Sequence, residues 1–146
     1  MLKLTKKVEY GLIALMHMDG MRNGDLAVAR EISDAYNVPP ELLGKVLQSL
    51  AKAGLVQSVQ GAKGGYRLLR PIGSVKLGEV VEAVEGPVSV TPCQVDPASC
   101  EQFPSCNIRE PVTRVQKQLV DYMYGLPLEA FRKSVTPGQP VTIDIK

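Results

Sequence analysis

The chain has 146 residues, 45% hydrophobic and 22% charged, which is enough apolar material for one core or two small lobes and too much for a disordered chain. No apolar run approaches the roughly 20 residues that span a bilayer, so a membrane-spanning protein is not expected. The net charge of +2 is unevenly spread: residues 1–75 hold ten of the 17 Lys and Arg but six of the 15 Asp and Glu, and residues 76–146 the remaining seven and nine. A basic front half and a slightly acidic back half suit a nucleic-acid-binding module joined to a regulatory or partner-binding one.

From Leu4 to Asp19, Val8, Leu12, Leu15 and Met16 recur at helical spacing behind Thr5, a good N-cap residue. His17, the only histidine, lies mid-helix between Met16 and Met18 and reads as a packed or surface residue. Gly20 to Gly24 break this helix, and Asp25 is expected to cap a second one reaching Asn37, with Val28, Ile32 and Ala35 inward. Val38-Pro39-Pro40 stops it and starts a third, because Pro disfavours α geometry before it and is tolerated in a first turn.

The third helix, from about Pro40 to Ala53, carries an inward stripe of Leu43, Val46, Leu47 and Leu50 and ends at Gly54, which suits a left-handed cap. Its other face presents Glu41, Lys45, Gln48 and Lys52, long polar side chains of the kind a recognition helix offers to a major groove. Leu55 to Val59 and Tyr66 to Arg70 then read as two strands around Gln60-Gly61-Ala62-Lys63-Gly64-Gly65. A nucleotide-binding loop would need a helix directly after the glycines, and a strand follows instead. Helices followed by a basic hairpin make a winged helix-turn-helix, in which Lys63 and the free backbone amides of Gly64 and Gly65 would approach the DNA backbone or minor groove. The expected fold is mainly α with a small β-hairpin: a DNA-binding lobe over 1–73, a cysteine loop and dimerisation region over 74–133, and an extended tail over 134–146.

After Pro71-Ile72-Gly73, Leu77, Val80, Val81 and Val84 predict a short amphipathic helix stopped by Gly86-Pro87. Asn107 with Glu110 three residues on resembles a capping box, opening a helix through about Tyr124. Its apolar positions Val112, Val115, Leu119, Tyr122 and Met123 form a stripe too long for one partner helix in so small a lobe, so part of it is expected to meet a second subunit.

Between these two helices lie all three cysteines, Cys93, Cys100 and Cys106, in a Pro-interrupted loop with gaps of six and five residues. An odd number defeats a closed disulfide framework, and an opening Met-Leu-Lys is not a secretory signal, so a cytoplasmic location with a metal or redox role is expected. The gaps do not match the close pairs of zinc ribbons. Wider loops suit an iron-sulfur cluster, and Cys106 directly before a helix N-terminus would place it where exposed amides favour an anionic group. Spacing alone leaves cluster, zinc and thiol redox switch open. No histidine lies near a cysteine in sequence, so a cysteine-nucleophile enzyme is not supported.

Leu4-Thr5-Lys6-Lys7-Val8-Glu9-Tyr10-Gly11-Leu12, Gly61-Ala62-Lys63-Gly64-Gly65-Tyr66, Val81-Glu82-Ala83-Val84-Glu85-Gly86-Pro87 and Cys106-Asn107-Ile108-Arg109 together resemble the IscR/NsrR group of dimeric winged-helix transcription regulators. The opening and the segment Cys-Asn-Ile-Arg-Glu-Pro are most similar to the branch regulating the SUF iron-sulfur assembly operon. The resemblance implies a homodimeric repressor of iron-sulfur assembly genes carrying a cluster, 2Fe–2S in preference to 4Fe–4S, on Cys93, Cys100 and Cys106. It also implies a fourth ligand from the first helix of the partner, where Glu9 stands. Other members use a histidine at the position held here by Arg109, which does not normally ligate, and most have a first gap of five residues where this chain has six. The candidate DNA contacts are Thr5, Lys6, Pro40, Glu41, Lys45, Gln48, Lys52, Gln60, Gly61, Lys63, Gly64, Gly65 and Tyr66. Alternatives of the same fold are sensing of nitric oxide, redox state or sulfur metabolites, and a zinc-stabilised DNA-binding protein.

Overall fold

Thr5 is the N-cap that the sequence suggests: its Oγ1 accepts the Val8 amide at 3.3 Å, and helix α1 runs Lys6–Asp19. In the computed structural model, which describes residues 2–132, four more helices and one hairpin follow. They are α2 (Ala29–Tyr36), α3 (Pro40–Lys52), strands β1 (Val56–Val59) and β2 (Gly65–Leu68), α4 (Leu77–Glu85) and α5 (Arg109–Gly125). Short 3-10 turns cover Ile72–Ser74, three places in the cysteine loop, and Leu128–Arg132. The mainly helical fold with one antiparallel hairpin is the one expected; the tail expected over 134–146 lies outside the described residues.

Helix α2 starts later than Asp25. Ala27 exchanges two backbone hydrogen bonds of 2.8 Å with Tyr66, which hold residues 26–28 extended against β2, so α2 opens at Val28 without a side-chain cap. Its inward set shifts accordingly: Ile32 and Ser33 are buried, while Val28 and Ala35 are exposed. Asn37 closes the helix in the left-handed region at φ +54°, a conformation that asparagine tolerates.

Helix α3 ends as its sequence suggests. Gly54 stands at φ +75°, with the Leu55 amide on the Leu50 carbonyl and the Gly54 amide on Ala51, a complete Schellman turn. Leu43, Val46, Leu47 and Leu50 are buried from α3 against Val8, Leu12 and Leu15 of α1. The same core takes in Ile32, Val56, Ile72, Val80 and Leu128, so α4 and the turn after α5 pack on α1, α2, α3 and β1 themselves. Glu79 strengthens that union, since its carboxylate accepts the Lys76 amide at 2.8 Å and pairs with Arg70 at the base of the hairpin at 2.8 Å.

Helix α5 begins at Arg109, with Ile108 as its N-cap and no side-chain cap, so the Asn107–Glu110 capping box is not formed. Pro111 gives the reason. Were Asn107 the cap, the first helical bond would need an N–H at residue 111, which proline lacks; instead the Val112 amide makes it to Ile108 at 3.0 Å. Tyr124 joins α5 to α4, donating a short hydrogen bond to Glu82 while its ring lies on Gly78.

Candidate functional site

Two regions carry the residues singled out by sequence. In the first, α3 exposes Glu41, Lys45, Gln48 and Lys52 along the face opposite its buried leucines, with Pro40 exposed at its first turn. β1 and β2 pair from Val56–Leu68 to Val59–Gly65, which leaves Gln60, Gly61 and Lys63 exposed at the tip. Lys45, Lys52 and Lys63 form no ion pair among the described residues, so these charges remain free for an anionic partner.

The glycines of the tip are explained by packing. A Cβ on Gly64 would stand 2.2 Å from the Val59 carbonyl oxygen, and one on Gly65 would stand 2.6 Å from that of Ala27. The Gly64 amide is not free as expected, because it donates to the Gly61 carbonyl at 3.0 Å. Gly61, at φ +117°, turns the chain there. Tyr66 is half-buried on the core. Thr5 and Lys6 stand apart from the tip at the start of α1, and both are engaged: the Thr5 hydroxyl donates to Glu85 at 2.7 Å, and Lys6 pairs with Glu9 at 2.6 Å.

The second region is the cysteine loop. Cys93, Cys100 and Cys106 are half-buried free thiols, and all three line one cavity of about 740 Å³. Each stands in or directly after a 3-10 turn. Cys93 is inside Pro92–Gln94, Cys100 follows Pro97–Ser99, whose start is capped by Asp96 through the Ala98 amide, and Cys106 follows Phe103–Ser105. The proline that opens or sits in each turn fixes its φ, so a loop without a helix or strand is nonetheless shaped. Cys93 Sγ shares a hydrogen bond with Thr91 Oγ1 at 3.2 Å, and Cys100 Sγ donates to Gln102 Oε1 at 3.6 Å.

The loop is anchored on α5 by a contact that local sequence does not betray. The Gln116 side chain donates to the Val88 carbonyl and accepts the Val90 amide, across 28 and 26 residues. Arg109, whose side chain stacks on Phe103, lines the cavity with the thiols. Glu9 does not: within one chain its carboxylate is held by Lys6 on α1. His17 is likewise elsewhere, its Nδ1 3.0 Å from the Tyr36 hydroxyl.

The three thiols line a common cavity. Among the described residues no three of His, Cys, Asp and Glu converge so as to hold a single metal ion. Three thiols lining one cavity are donors of the type that iron-sulfur clusters and zinc both use.

Fold and site therefore define a winged-helix protein with a thiol-bearing loop anchored on helix α5. Residues 4–133 match the Rrf2 model, described as iron-dependent transcriptional regulator, and the chain belongs to that family of transcriptional regulators. The structure is similar to CymR (YrzC), the global cysteine regulator of B. subtilis, at 25% identity, covering 88% of this chain and 95% of that one with a TM-score of 0.68. It is also similar to T. potens IscR, at 23% identity over 97% of this chain and 93% of the other, TM-score 0.66. A transcriptional regulator from Listeria innocua matches at 24% identity over 98% and 96%, with a TM-score of 0.75. No helix among the described residues is long and apolar enough to cross a membrane.

Proposed function

We propose that the protein is a homodimeric, DNA-binding repressor of iron-sulfur assembly genes whose activity follows the state of a cluster on Cys93, Cys100 and Cys106. The observation that carries this reading is the single cavity of about 740 Å³ shared by the three thiols in a regulator of the Rrf2 family. Such a cluster, when bound, supplies one-electron chemistry and reactivity toward oxidants and nitric oxide. The partner subunit's Glu9 is the fourth ligand in this reading, because within one chain Glu9 lies outside the cavity.

The second copy is taken to dock on α5. Ile108, Val115 and Tyr122 are 59%, 51% and 65% exposed and fall seven residues apart, on one face, whereas Val112, Leu119 and Met123 turn toward the chain's own surface. This divides the apolar stripe between the core and a partner.

The chain's own contacts offer a route from loop to DNA. Gln116 ties the start of the loop to α5, Tyr124 ties α5 to α4, and Glu79 of α4 holds Arg70 at the base of the hairpin. A change in the loop would then bias the placement of α3 and the hairpin tip, and half-site spacing decides whether two recognition helices engage together. Lys45, Gln48 and Glu41 read bases or phosphates, with Lys52 and Lys63 on phosphate.

Affinity for operator DNA should fall steeply with salt, and Lys45→Ala or Lys63→Ala should each lower the slope of log K against log salt by about 1. Fluorescence anisotropy over a salt series measures this, and a salt-insensitive affinity would defeat the electrostatic assignment. A second reading, sensing of a sulfur metabolite, is favoured by the similarity to the cysteine regulator CymR. Comparing DNA binding with the cluster intact and removed separates the two, since only the first reading makes affinity follow the cluster.

A further inference from the structure

Arg109 opens α5, yet its side chain turns back over the end of the cysteine loop. Its guanidinium carbon lies 4.9 Å from the centre of the Phe103 ring, and its Nη1 donates to the Phe103 carbonyl at 3.3 Å. Phe103 is half-buried and begins the 3-10 turn Phe103–Ser105 that leads directly into Cys106. One residue thus grips both the face and the backbone of the segment that sets Cys106 against Cys100. A guanidinium is suited to this, being planar, permanently charged and able to stack and donate at once.

Among the described residues Arg109 is the only cationic side chain lining the thiol cavity; the Glu101 carboxylate lines it too, and the two form no ion pair. Three thiolates and the sulfides of a cluster outweigh the charge of its irons, so a bound cluster would bring net negative charge to the cavity. A cation on that wall offsets this charge, and because Arg109 is itself exposed to solvent the offset is partly screened and weakens as salt rises.

We propose that Arg109 is a positioning and charge-compensating residue of the cysteine site: it pins the Phe103 turn so that Cys106 is held in place, and its charge raises the reduction potential of the bound cluster. This rests on the cluster reading above. In reduction one electron passes from a low-potential donor such as dithionite to the cluster, no bond is made or broken, and the added negative charge is the quantity that Arg109 favours.

The test uses full-length protein reconstituted without oxygen, titrated with dithionite and followed by visible absorption, together with the rate of cluster loss to a ferrous chelator. Arg109→Gln, which removes charge and stacking, should lower the midpoint potential and speed cluster loss several-fold. Arg109→Lys should restore most of the potential but not the slow loss, because the charge returns without the planar face. Phe103→Leu should speed loss while leaving the potential near wild type. An Arg109→Gln protein with the wild-type potential overturns the proposal whatever its loss rate. Wild-type protein that takes up no iron or sulfide overturns the cluster reading, and that result is visible before any variant is made.

Discussion

The Tyr124 hydroxyl donates to the Glu82 carboxylate, and that bond works only while the phenol keeps its proton. The hydrogen bond to Glu82, then burial and the nearby negative charges push the Tyr124 pKa from 10.0 up to about 12. A pKa raised in the folded state means stability that is whole below about pH 10 and is lost as pH climbs toward 12. The stability difference between wild type and Tyr124→Phe, from urea unfolding, should therefore shrink between those values; a difference constant through pH 12 would show that the bond contributes nothing. Asp19 behaves oppositely. Its bond to Arg132 holds its pKa below the ordinary value of 3.8, so the tie between α1 and the turn after α5 weakens only in acid.

Glu9 is the residue on which the ligand assignment turns. Its partner within the chain is Lys6, an exposed pair of little energetic weight, so freeing it for a second subunit costs little. Glu9→Ala should leave the apo dimer folded while shifting the visible absorption and circular dichroism of the reconstituted protein. Unchanged spectra would remove Glu9 from the ligand set. Much at this scale was readable in advance: Thr5 announced its cap and Gly54 its left-handed turn, because both act within four residues of themselves. Arg109 and Gln116 were not, since their roles depend on a Phe103 carbonyl and on Val88 and Val90 brought near by the fold.

Among the elements, α4 is the joint between α1, α3 and the hairpin on one side and α5 on the other. A Cβ on Gly78 would stand 2.5 Å from the Tyr124 ring, so Gly78→Ala must displace a packed aromatic side chain. It should destabilise by about 1–3 kcal/mol, as overpacking does. Gly78→Ala with Tyr124→Ala should cost less than the sum of the two alone, because the second change removes the clash. Thermal melts of the four proteins decide this, and strict additivity would mean that the helices do not meet there.

The elements also show where local sequence fails. The start of α2 was misplaced because Ala27 is claimed by β2, a partner 39 residues away that outweighs the capping tendency of Asp25. The start of α5 was misplaced for a local reason that was legible: Pro111 forbids the bond an Asn107 cap would need. The amphipathic stripes of α1, α3 and α4 were read correctly, since the period of a helix is written in the chain itself.

For the whole molecule, the exposed lysines of α3 and the hairpin tip and the thiol cavity sit at opposite ends of one chain of contacts, joined through α4 and α5. That the loop would gather its cysteines was foreseeable from their proximity in sequence. The shape of the cavity and the cation on its wall were not, because prolines and a stacked arginine decide them. The proposed function stands on an iron-sulfur cluster in this loop. Its most direct test is the visible spectrum with the iron and acid-labile sulfide content of protein purified without oxygen. Coloured protein containing iron and sulfide in about equal amounts, as iron-sulfur clusters do, is expected, with the colour lost when the cysteines are replaced. Colourless, iron-free protein that also resists reconstitution would contradict it.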